Sequence, residues 1–157
     1  MTSLRRLLDS ALARLAEVGA EPGDDEETRL QKALLVLIAI LILPISGIWA
    51  VLYLAFDAWT GWVAVLYAVI SVASIAVFAR TRNFDLLLNI QLLAIALAPT
   101  LSMIAIGGFL PTGGVGFWGI LAPLGALVFR GVGSGIRWFV AWLVLFLGSG
   151  IAAAVLR

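Results

Sequence analysis

Residues 33–56 read ALLVLIAILILPISGIWAVLYLAF. Not one of them is charged. A bilayer core is about 30 Å thick and takes about 20 apolar residues of helix to cross. This run exceeds that length, so it reads as a membrane span.

Four further apolar segments follow it. They lie near 60–79, 84–106, 115–129 and 137–156. The fourth is short and is broken by Pro123. A re-entrant segment is an alternative there, with irregular backbone shielded by protein. That alternative would put Arg130 and Arg137 on the wrong side, so a short or kinked span is the better reading. The expected fold is all-α: a polytopic transmembrane helix bundle over 33–157, with about five spans.

Composition agrees. The chain has 157 residues, 63% hydrophobic and 12% charged. Soluble domains carry about a quarter charged residues. Net charge is +1, too little for a nucleic-acid partner. Cys and His are both absent. Disulfides, thiolate metal sites and imidazole chemistry are therefore excluded.

Charge crowds the amino-terminal region, residues 1–32. Residues 3–18 carry Leu4, Leu7, Leu8, Ala11, Leu15 and Val18 at helical spacing, with Arg5, Arg6 and Arg14 on other faces. A short amphipathic helix on the cytoplasmic side is expected. It would serve to dock a partner or dimerise, to lie at anionic headgroups, or to pack on its own protein. Glu21-Pro-Gly-Asp-Asp-Glu-Glu27 then reads as a turn and an acidic helix start. Arg29 and Lys32 fall in reach of Asp25, Glu26 and Thr28. An acidic metal site is the alternative to a solvated cap here, and ordinary first-turn acids favour the cap.

The loops set the orientation. Arg80, Arg82, Arg130 and Arg137 occupy links that alternate to the amino-terminal side, while the links near 57–59 and 107–114 carry no Lys or Arg. These four arginines are the expected cytoplasmic anchors of a bacterial inner-membrane protein. Phe56, Trp59, Trp62, Phe109, Phe117, Trp118, Trp138 and Trp142 flank the spans as interfacial aromatics.

One ionisable residue and two amides enter the third span. Asp85 sits at its start and reads as half of an interfacial ion pair, or as a transport carboxylate. Asn89 and Gln91 lie deeper, as helix-packing amides or as ligand contacts. Ala64 and Ala68, Ala122 and Ala126, and Gly131 and Gly135 are spaced for close helix approach. Gly131-Val-Gly-Ser-Gly135 lacks the Lys-Ser/Thr ending of a phosphate loop and reads as a flexible turn. No nucleophile and base can be paired, and no catalytic residue is expected.

Gly19–Val36, Gly107–Phe129 and Arg137-Trp138-Phe139 resemble the membrane domain of bacterial membrane-bound class III adenylate/guanylate cyclases. The 107–129 block is the most specific part. The resemblance implies a six-helix membrane domain and a homodimer, followed by a cytoplasmic cyclase domain. Mg2+ or Mn2+ is expected only in that catalytic domain, with no cofactor in these 157 residues. The chain stops after the fifth span, so it is expected to be a fragment or a truncated product. The expected function is to anchor, dimerise and sense for a cyclase. The competing functions are a small transporter or channel, built on Asp85, Asn89 and Gln91, and a membrane sensor for another signalling output.

Overall fold

A computed structural model describes residues 22–56 and 59–155. The expected helix over 3–18 lies outside the described residues. All regular elements described are helical: α1 (Glu26–Ala55), α2 (Gly61–Thr81), α3 (Phe84–Ile106), a 3-10 helix (Val115–Ile120), α4 (Leu121–Arg130) and α5 (Val132–Val155). Four of them (α1, α2, α3 and α5) are long and apolar enough to cross a membrane. The fold is the expected all-α bundle of a membrane protein.

Helix α1 starts seven residues before the apolar run. Asp25 is the reason: its carboxylate accepts from the Thr28 amide at 2.9 Å, with Glu26 and Glu27 in the first turn. An N-cap acceptor and negative charge both favour a helix start. The Thr28 hydrogen bonds also hold the Asp25 carboxyl below its ordinary value of 3.8. The expected reach of Lys32 needs correcting. Its ammonium bonds both oxygens of Asp24, at 2.7 and 3.0 Å, and both side chains are at least nine-tenths buried. Asp25 is committed to the cap, which leaves the preceding acid to neutralise the lysine.

Short devices separate the other helices. Arg82 takes the left-handed conformation (φ 53°) and closes α2. For a non-glycine residue that conformation costs about 1 kcal/mol or more. Asn83 then caps α3 through the Leu86 amide at 2.9 Å. Gly107 ends α3 at φ 97°. Gly131 alone interrupts the chain between α4 and α5, at φ 78°. The flexible turn expected over 131–135 is therefore corrected to a single residue. Val132–Gly135 already form the first turn of α5, and Arg137 lies inside that helix.

The short fourth segment is a composite. Six residues of 3-10 helix run directly into ten of α-helix. A 3-10 turn rises about 2.0 Å per residue and an α turn about 1.5 Å. Together they extend to about 27 Å, close to the bilayer core thickness. The tighter winding thus compensates for the missing residues. Pro123 sits in the first turn of α4, where a missing amide is tolerated best.

Helix α3 is the hub. More than half of its most apolar stretch is buried, against 28%, 22% and 17% for α1, α2 and α5. It touches every other element, whereas α1 packs on α2, and α4 packs on α5. Neither α1 nor α2 makes an extended backbone contact with the 3-10 helix, α4 or α5. The bundle is therefore two helical pairs hung on one central helix. Leu87, Leu88, Leu92 and Ala96 of α3 form the core with Leu35, Val36, Phe78, Ala122 and Ala126.

Candidate functional site

Three polar or concave features lie within the bundle. The first is a clamp at the arginine end. Arg130, in the last turn of α4, reaches the first turn of α3. Its guanidinium bonds the Asp85 carboxylate at 2.5 Å and donates to the Asn89 amide oxygen at 3.0 Å. Both ends of the pair suit their helix dipoles, with the acid at an N-terminus and the base at a C-terminus. The Phe84 ring meets Phe129 edge-on at 6.1 Å just beside it. The Asp85 side chain is 77% exposed, so the ion pair lies at the surface of the bundle. Arg80 and Arg82 are exposed at the end of α2, and Arg137 is exposed one turn into α5.

The second feature is a buried tie between α2 and α3. The Gln91 amide donates to the hydroxyls of Ser71 and Ser74, both at 2.9 Å. Ser71 returns a bond to the Gln91 carbonyl oxygen at 3.3 Å, and Ser74 donates to the Ser71 carbonyl at 2.8 Å. Gln91 is thereby fully engaged in a low-dielectric interior. Asn89 lies two residues earlier, or about 200° around the helix. It faces α4 instead. The three polar residues singled out in the sequence are thus divided: Asp85 and Asn89 join one cluster, and Gln91 joins another.

Sequence reasoning missed the α2 side of this tie. The signal was there in Tyr67, Ser71, Ser74 and Phe78, all buried at spacings of four, three and four. Nearby, the Ser46 hydroxyl of α1 donates to the Ala64 carbonyl of α2 at 2.8 Å.

The third feature is a lateral cleft between α1 and the 3-10/α4 segment, floored by α3. It holds a cavity of about 140 Å³ whose lining includes Trp49, Tyr53, Tyr67 and Trp118. A second cavity of about 220 Å³ shares Ile42, Tyr67, Ile95 and Leu121 with it. Pro99 of α3 lines the first cavity and lacks an amide, so the Ile95 carbonyl loses its helical donor. Tyr67 is 6% exposed, and its hydroxyl lies near Ser71 but makes no well-formed hydrogen bond.

The 3-10 helix packs on α3 and, through its glycines, also on α5. A side-chain carbon at Gly119 would stand 2.7 Å from Trp142, and one at Gly116 would stand 2.8 Å from Met103. The Trp142 indole donates to the Gly116 carbonyl at 3.4 Å. Trp142 is 6% exposed, which corrects its expected place as an interfacial anchor. Trp138 likewise packs against the core. Phe109 and Phe117 meet Phe146 in an aromatic cluster at the glycine-rich end. Phe56, Trp59 and Trp62 are well exposed, between the end of α1 and the start of α2.

Among the described residues, no three acidic side chains converge on a metal-sized site. Comparison with family models, with curated proteins and with solved structures finds no match to this chain.

Proposed function

We propose that this chain is the membrane anchor of a bacterial signalling protein, and that it dimerises and senses on behalf of a cytoplasmic output. The reading places the arginine end in the cytoplasm and the chain in the inner membrane as a homodimer. One observation carries it. The ionisable and amide side chains of α3 are consumed by helix-to-helix bonds, on opposite sides of that helix. Polar groups so placed fasten helices and do not line a path for a solute. A bundle of two helical pairs on one hub has the form needed to convert a change in packing into a change in geometry at one end.

The output is assigned to nucleotide cyclisation on the resemblance of Gly19–Val36 and Gly107–Phe129 alone. Catalysis, with its Mg2+ or Mn2+, then belongs to a downstream cyclase domain. To test this, the downstream region is joined to the chain and cyclisation is assayed with and without residues 1–157. Activity and dimerisation should both fall when the segment is removed. Unchanged activity with unchanged dimerisation contradicts the reading.

The transport reading makes the opposite prediction for Asp85. Solute flux in proteoliposomes that disappears in Asp85→Asn would support transport, whereas an anchor shows no such flux.

A further inference from the structure

We propose that the cleft between α1 and the 3-10 helix is a binding site for a neutral, planar, carbonyl-bearing ring compound dissolved in the bilayer. The proposal rests on the sensing reading above and goes one step further by naming the class of ligand.

Four observations select that class. First, size: the cavity is about 140 Å³, and apolar cavities of about 150 Å³ accept a benzene-sized ring. Second, shape: Trp49, Tyr53, Tyr67 and Trp118 bring four aromatic rings to the lining, from α1, α2 and the 3-10 helix. Trp49 is already stacked on Tyr53 at 5.5 Å. Aromatic faces favour offset stacking with a planar partner. Third, charge: no charged side chain lines either cavity. An ion would remain uncompensated there, so the ligand is neutral.

Fourth, hydrogen bonding: the Tyr67 hydroxyl is a buried donor without a well-formed hydrogen bond. Its neighbour one turn on, Ser71, makes its well-formed hydrogen bonds with Gln91 and offers Tyr67 only a weak contact. A buried polar group left unpaired is costly, and a ligand carbonyl would complete it. Tyr67 lines both cavities, and its hydroxyl, buried in the unliganded bundle, would meet a ligand through a change of the torsion about Cα–Cβ. Entry is from the lipid: Trp49 and Trp118, on the two facing elements, are 39% and 54% exposed.

The cleft also touches the part of the bundle best suited to respond. Val115, Trp118 and Leu121 of the 3-10/α4 segment line it. A 3-10 stretch of six residues is unusually long, and such stretches often mark hinges. The same segment ends at Arg130 and its clamp on Asp85.

The test uses the full chain in phosphatidylcholine nanodiscs with duroquinone as the probe. Its ring is fully substituted, and the chain has no cysteine for it to modify. Quenching of tryptophan fluorescence should show a saturable component above linear partitioning. Tyr67→Phe should weaken that component about tenfold, as expected for one lost hydrogen bond. It should leave thermal stability equal to or above that of the parent. Ala98→Phe, which fills the same cavity, should abolish the component. Quenching that is only linear, or identical in all three proteins, overturns the proposal. So does a destabilised Tyr67→Phe, because the hydroxyl would then have a structural partner. A reporter fusion that ignores duroquinone while binding persists overturns the sensing reading alone.

Discussion

The two helical pairs on α3 are fastened by different physics. The α1–α2 side joins one close approach, Gly61 against Leu54 and the Ala50 carbonyl, to several side-chain hydrogen bonds: Ser46 to the Ala64 carbonyl, and Gln91 to Ser71 and Ser74. The α4–α5 side is held by close approach. Gly116, Gly119 and Gly135 leave room for Met103, Trp142 and Leu127, and Ala122 and Ala126 are wholly buried. Lipid tails are as apolar as a protein core, so burial of apolar surface cannot drive either association. One pair solves this mostly with polar ties and the other with dense packing. The cleft lies where the two solutions face each other without interlocking.

The largest effect is expected on the packed side. Gly119→Val drives carbon atoms into the Trp142 ring, which is buried and packed on Phe139 and Phe146. Overpacking of this kind costs about 1–3 kcal/mol. Reversible unfolding in detergent should place the loss toward the upper end of that range. A neutral result would mean that the 3-10 helix does not depend on its glycines.

The tied side should yield less. Gln91→Leu removes two donated bonds and one accepted bond, yet Ser74 keeps its backbone acceptor. Interhelical hydrogen bonds in membranes contribute about 0.6 kcal/mol on average, and up to about 2 kcal/mol. The same unfolding assay should register about 1 kcal/mol. A loss larger than that of Gly119→Val would reverse the comparison.

The clamp joins α3 to α4 and is more exposed than either. Arg130→Gln should cost less than about 1 kcal/mol. The difference between the two proteins should shrink in high salt, because salt screens exposed pairs. A salt-independent loss would mean that the pair is shielded from solvent. The smallest effect is at the Asp25 cap. Its folded pKa is lowered, so the stabilisation is complete above the ordinary value of 3.8 and disappears as pH falls through the lowered one. Protection of the Thr28 amide, relative to its intrinsic exchange rate at each pH, should fall over that window in the parent and should be low at every pH in Asp25→Ala.

Much of this architecture was legible in the sequence. The hydropathy runs located four helices to within a few residues, except where charged first turns extend α1 back to Glu26. What they could not convey was which face of each helix is inside. In lipid, Val51 and Leu88 obey the same preference, yet one is 67% exposed and the other is wholly buried. Trp142 was misplaced for that reason. Pairing was equally hidden: Asn89 and Gln91 look alike in the sequence, and only the 100° step of the helix separates their partners. The 3-10 stretch Val115–Ile120 seats its glycines against Trp142, a residue more than twenty positions away.

The central claim is that the two pairs meet only through α3 and can shift against each other. Spin labels test it directly, and the cysteine-free chain needs only the added residues. One pair of labels, at Ile38→Cys and Leu124→Cys, spans the cleft. A second pair, at Leu124→Cys and Val140→Cys, stays within the α4–α5 side. Pulsed EPR in nanodiscs should give a broad distance distribution across the cleft and a narrow one within the packed side. Equally narrow distributions would contradict the account, because they would make the bundle one rigid body.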